Sequence, residues 1–423
     1  MPEILRQQIH LTSFYGKMVS PCGLCRLGDV YHIFYECLPD KGKMQWGHFS
    51  TNDFCEFKEH RPFISPDTKF DTDGVFGGSA LVEKEKPIFF YTGNASDTQN
   101  ILSARPNEER GAEKALMLQK EDYPADIAGQ VSSPFVYKNS SGYNMILGAQ
   151  TKDGEGCAVV YTAPDAARWK YSHQIVSHTP LGYMWENPCS FKIESMRFLI
   201  FCAEGAVSSP QESPHTAAWA NLSENLIKDC HSLDFGFDFY APQIFANNHG
   251  EILMIGSMTI PESPYGDSAP LPCCLSLPRV ISLKNDMLYQ SPSPFLKELR
   301  TEKRTLSLRS GETGDTFGAV FEMELSFTEE RFAFLLRENI RVECNEGNFI
   351  VTMGKSGLGR TQKEFYAGDF KNVHIFSDRA SVEMFIGGKS FSTRLSDKQK
   401  GTVSILLGNC RAQIYKLNSI KFQ

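Results

Sequence analysis

The chain lacks an apolar run of membrane-spanning length, and its first residues, MPEILRQQIHLTSF, have no positive stretch leading into a hydrophobic segment. A spanning helix and a secretory leader are therefore not expected, and the expected compartment is cytoplasmic. It also lacks a basic excess. With 43 Lys and Arg against 50 Asp and Glu, the net charge is −7, which gives no field to attract a phosphate backbone or an anionic membrane. Neither nucleic acid nor membrane is expected as a partner, and small neutral ligands remain open. Cysteine is present, twelve residues in all, but without a pattern. Cys22-x-x-Cys25 is the only pair at ligand or redox spacing, and no second pair accompanies it, so reduced and mostly buried thiols are expected, Cys273 and Cys274 among them. No metal and no cofactor is implied. Asp71 and Asp73 in DTDG resemble half a calcium loop but lack its terminal glutamate, and read as a surface turn. His48 reads as a hydrogen-bonded structural histidine.

What the chain has is an internal repeat. Five apolar, aromatic-rich runs begin at Tyr31, Pro87, Tyr143, Phe198 and Glu251. Aligning Ile33, Phe89, Ile146, Ile200 and Met254 gives a period of 54 to 57 residues. Each run follows another short apolar strand, and in four of them a proline (Pro21, Pro134, Pro188, Pro242) lies 12 residues before the aligned position. A repeat of this length, rich in strand-forming and turn residues, fits one four-stranded propeller blade. The chain is accordingly read as all-β, with a five-bladed β-propeller over residues 1–290. Residues 291–300 form a linker, and a β-sandwich follows over 301–423, where short alternating runs are broken by Gly, Asn and Asp turns.

The innermost strands of a propeller converge on one axial pocket. The residues just ahead of the prolines supply that convergent set: Ser20, Gly78, Ser133, Asn187 with Glu186, and Ala241. Of these only Glu186 is ionisable.

The blocks WGHFSTND (46–53), DTDGVFGGSALV (71–82), LGYMWENP (181–188), LDFGFDFYAPQ (233–243) and SDRASVEMF (377–385) resemble glycoside hydrolase family 32, the invertases, fructanases and sucrose-6-phosphate hydrolases. The resemblance covers nearly the whole chain. It implies a five-bladed propeller with a β-sandwich, and retaining hydrolysis of a β-fructofuranosyl bond by two carboxyl groups roughly 5 Å apart. It also implies positions for the machinery. The family's nucleophilic Asp falls on Ser20, its sugar-gripping Asp on Ser133, and its acid/base Glu on Glu186, with Asn187 beside it. The family's Gln after Phe-Tyr is here Glu36, a pocket serine is Gly77, and a pocket tryptophan aligns with Ser257, while Trp46, Asp238 and Tyr240 are kept. Substrate-binding roles are thus expected for Ser20, Trp46, Gly77, Ser133, Asn187, Asp238 and Tyr240, and catalytic roles for Glu186 and Glu36.

With both family aspartates gone, ordinary invertase activity is not expected. A serine hydroxyl needs an adjacent base to act as a nucleophile, and the sequence offers no histidine near Ser20. Two functions remain open on a small carbohydrate or glycoside. One is a glycosidase of altered substrate or mechanism, using Glu186 with Glu36. The other is a catalytically inactive sugar-binding or regulatory protein on the same scaffold.

Overall fold

The computed structural model describes residues 6–107, 111–207, 213–222, 225–260, 273–396 and 400–423. Its regular structure is almost entirely strand, with three short 3₁₀ turns. No helix among the described residues is long and apolar enough to cross a membrane.

Five sheets, antiparallel but for a two-residue parallel strand at the edge of the first and of the third, follow one another along the first two thirds of the chain. Their leading strands are Lys17–Leu27, Gly74–Glu83, Ile127–Asn139, Met184–Ile193 and Tyr240–Ala246. These strands pack side by side in that order, and the fifth returns to pack against the first. Burial from both sides explains why the second strand of the first sheet, VYHIFYECL, is apolar through Ile33–Tyr35 instead of alternating strictly. Residues 291–292 still belong to the fourth strand of the fifth sheet, Met287–Pro292; a 3₁₀ turn over Pro294–Leu299 follows, and Arg300 opens the next strand.

Beyond it, two six-stranded sheets lie face to face. Here the alternation is cleaner: in Ile340–Asn345 the side chains run buried and exposed by turns. The core between these sheets is aromatic, with Phe327 and Phe332 stacked 3.9 Å apart. The last strand, Lys421–Phe422, does not join them but pairs in parallel with Glu56–Phe57 at the edge of the first sheet. Nearby, the Ile420 amide donates to the Gln8 carbonyl at 2.8 Å.

All twelve cysteines are free thiols, with Cys22, Cys25 and Cys274 buried. His48 stacks between Phe34 and His60 and shares a 2.9 Å hydrogen bond with His32. Burial and the two neighbouring imidazoles push its pKa down to about 2. The surface turn expected at 71–73 holds for one residue and fails for the other. Asp73 is exposed and paired with Lys43, whereas Asp71 is fully buried, accepting from Tyr91 at 2.9 Å and Lys114 at 2.8 Å. The correction has a plain cause: a carboxylate with a lysine, a tyrosine and Thr68 to satisfy it can be taken out of water.

Candidate active site

Every one of the five leading strands carries a register break at the same depth. In the first sheet Val19 and Ser20 together face Glu36; in the third, Ser133 and Pro134 face Leu147; in the fourth, Asn187 and Pro188 face Phe201; in the fifth, Ala241 and Pro242 face Gly256. In the second sheet the extra residue is Gly77. Proline suits such a bulge because it gives up no ladder hydrogen bond there. Ser133, Asn187 and Ala241 take left-handed backbone, with φ of 55°, 48° and 46°. Such strain, of order 1 kcal/mol or more for each residue, is held where surroundings enforce it, and it turns these side chains toward one axis.

The bulges surround a cavity of about 550 Å³. Ser20, Glu36, Gly77, Ser133, Glu186, Asn187, Tyr240 and Ser257 all line it, and none of the described lining residues comes from beyond residue 260. Gly77, not Gly78, belongs to the lining; a Cβ on residue 78 would run into the Phe90 carbonyl of its own sheet. A Cβ on residue 77 would lie 2.8 Å from Ser133 Oγ, 3.2 Å from Asn187 Oδ1 and 3.5 Å from Glu36 Oε1, so the glycine opens the point where these groups meet.

Two expected ligand-binding residues stand apart from the lining. Trp46 is fully buried behind it, its indole N–H donating to the Phe76 carbonyl at 3.0 Å. Asp238 turns away into the junction with the C-terminal sheets. There it accepts from the Arg394 amide at 2.7 Å and from its Nη2 at 3.0 Å, and it pairs with Arg360. Its carboxylate is consumed by two arginines more than a hundred residues away, so it acts as a structural anchor.

The electrostatics of the cavity concern three carboxyl groups. Glu36 is buried, which raises its pKa, but the Ser20 hydroxyl and the Gly77 amide donate to it and restrain the rise. Glu186 is pushed up to about 8, by burial first, then by Glu204 and by Glu36, against a 3.3 Å hydrogen bond from the Tyr240 hydroxyl. Near neutral pH it is therefore mostly protonated and able to donate a proton, while the two hydrogen bonds donated to Glu36 favour its charged form. Glu204 was not among the expected residues. Strand pairing supplied the missing signal: Glu186 lies opposite Cys202, so residue 204 falls on the same face two positions along. Asn94 Oδ1 and Thr259 Oγ1, from residues that also line the cavity, are buried without a hydrogen-bond partner among the described residues.

An all-β chain with paired acidic groups at the convergence of five sheets has the makings of a polysaccharide- or glycoside-acting protein, and comparison with known proteins narrows the class. The family model of the glycosyl hydrolases family 32 N-terminal domain matches residues 10–292. The sucrose-6-phosphate hydrolase of Vibrio alginolyticus is 30% identical, the alignment covering 97% of this chain and 90% of that protein. That of Bacillus subtilis is 26% identical over 90% of this chain and 86% of the relative. The structure of a sucrose-6-phosphate hydrolase from Lactobacillus gasseri superposes with a TM-score of 0.88 at 22% identity, covering 99% of this chain and 94% of the other. A Bombyx mori beta-fructofuranosidase superposes at 0.83 with 20% identity, over 99% and 95% of the two chains. The chain belongs to glycoside hydrolase family 32, the beta-fructofuranosidase and sucrose-6-phosphate hydrolase family.

Proposed function

We propose that this chain is a glycosidase of the family whose second catalytic carboxyl group has moved from the first strand to its neighbour, acting on a small glycoside within a five-bladed propeller (1–290) joined by a short linker (291–300) to a sandwich (301–423). Glu186 is the acid that protonates the leaving oxygen. Glu36 is the carboxylate that attacks the anomeric carbon, and after departure of the leaving group Glu186 takes a proton from the water that releases the sugar. The single observation that carries this reading is the hydrogen bond from Ser20 to Glu36. The residue that fills the family's nucleophile position touches a carboxylate reaching in from the adjacent strand, so a longer side chain one strand over supports the same charge at nearly the same place. Ser133 and Asn187 crowd the same point and suit hydroxyl recognition.

The loss of acidic residues at 20 and 133 favours a second reading, an inactive sugar-binding protein. The two separate on variants. Glu36→Gln and Glu186→Gln should each lower turnover by on the order of 10³ or more while leaving ligand binding in place. Adding Ser20→Asp to Glu36→Gln should recover part of that loss by returning a carboxylate to the first strand. Rates are measured on a panel of β-fructosides and related glycosides, with no turnover of sucrose, sucrose 6-phosphate or inulin expected at the ~10 per second typical of enzymes. Variants that change affinity alone, with no hydrolysis of any panel member by the native protein, would establish the binding reading.

A further inference from the structure

The ligand charge that the cavity accepts can be argued from its lining. Three carboxyl groups, Glu36, Glu186 and Glu204, face the space, and Lys17 is the only cation among the described lining residues. Among the described residues no arginine lines it and no α-helix directs an N-terminus toward it. A guanidinium fork and a helix N-terminus, two of the means of holding a phosphate, are absent from the described lining, which leaves Lys17 as one cation set against three carboxyl groups. The segments 208–212, 223–224 and 261–272 contain no lysine or arginine in their sequence.

The hydrogen-bonding character points the same way. Carboxylate oxygens accept, and Asn94 Oδ1, buried without a partner among the described residues, also accepts. At these acceptors the ligand must donate. A sugar hydroxyl can donate; a phosphate dianion offers acceptors only and adds negative charge to a space whose carboxyl groups already repel one another.

We infer that the cavity takes an unphosphorylated sugar and rejects a phosphorylated one, with Glu204 as the residue that sets the preference. The inference rests on the carbohydrate reading above but departs from the substrate in the names of the sucrose-6-phosphate hydrolases it resembles. Glu204 suits the part because it sits at the end of its strand, Met196–Glu204, on the face shared with Glu186, and it exchanges no proton and forms no bond in the proposed chemistry.

The test is calorimetric titration of the full chain with fructose and with fructose 6-phosphate at neutral pH and low salt, repeated with glucose and glucose 6-phosphate because sucrose 6-phosphate carries its phosphate on the glucose unit. Fructose should bind at least about tenfold more tightly, since like charges brought together in a partly dry site repel. Raising the salt should shrink the ratio. Glu204→Gln, checked for native melting, should narrow it several-fold, mainly by strengthening binding of the phosphate. Fructose 6-phosphate binding as tightly as fructose or more so, or a ratio indifferent to both salt and Glu204→Gln, would overturn the inference and leave the carbohydrate reading standing. Failure of both sugars to bind would overturn the two together.

Discussion

The carboxyl groups of the cavity and those of the junction with the C-terminal sheets behave in opposite ways. In the cavity, acids face acids: Glu186 is raised to about 8 by burial, Glu204 and Glu36. At the junction with the C-terminal sheets, acids face cations. Burial alone would raise Asp238, but Arg394 and Arg360 hold it below the usual range. Glu383 is likewise brought down to about 2, with Arg279 and His10 outweighing burial. His10 lies between Asp378 and Glu383 at 2.8 and 3.1 Å, and those two acids overcome its burial to raise it to about 9. Arg279 completes the network, reaching Asp234 at 3.0 Å and Glu383 at 2.6 Å. The junction acids are the more deeply buried, Asp238 and Glu383 being 1% and 0% exposed against 8% for Glu36, with Glu186 and Glu204 partly exposed, and yet they are the ones held low. What differs is whether the sequence supplies a partner: a neighbouring cation holds a buried acid ionised, and a neighbouring acid favours its protonation.

The largest test of this contrast is Asp238→Asn. Removing the charge leaves Arg360 and Arg394 buried with too little to neutralise them, and the expected loss is about 3 to 5 kcal/mol in chemical denaturation. A loss below about 1 kcal/mol would place Asp238 with the cavity acids and not with the anchors. The next effect is smaller and depends on pH. Because the folded pKa of His10 lies above its ordinary 6.5, its contribution is fully present below about 6.5 and is lost as pH rises through about 9. His10→Gln should therefore lower the melting temperature clearly at pH 6 and much less at pH 9.5. An equal drop at both would mean that the imidazole serves by shape and not by charge.

The smallest effect belongs to the cavity and has the same slope with a different window. Glu186 is an acid whose folded pKa is raised from 4.5 to about 8, so the unfolded chain gives up this proton first as pH rises. The fold accordingly loses stability from about pH 4.5 to 8. Glu186→Gln cannot ionise, and its melting temperature should fall less across that window than the native protein's. A steeper fall in the variant would deny the crowding of carboxyl groups on which the acid role depends.

Much of the architecture was legible because local chemistry repeats. The 54 to 57 residue period and the recurring proline marked the leading strands, and the prolines proved to sit at or beside the bulges that aim side chains inward. Glu36 and Glu186 could be singled out from that spacing and from the family's motifs, and both line one cavity. What could not be read depends on partners distant in sequence. Asp238 looks like a pocket residue until Arg360 and Arg394 are beside it. Asp71 looks like a turn residue until Lys114 arrives from the far edge of its sheet. Glu204 stood in plain view at the end of an apolar run, but its significance needed the pairing register that sets it on the face of Glu186.

The strand Lys421–Phe422 has a consequence for the order of events in folding. It completes the edge of a sheet whose other strands lie before residue 65, and the Gln8, Ile9 and His10 amides donate to Asp378 close by. A chain emerging from the ribosome can thread its first sheet early but cannot finish it until some 350 further residues have been made. Until then that edge offers unpaired backbone to any neighbour. Loop closure over such a separation is slow, so the first sheet to be synthesised is among the last to be sealed.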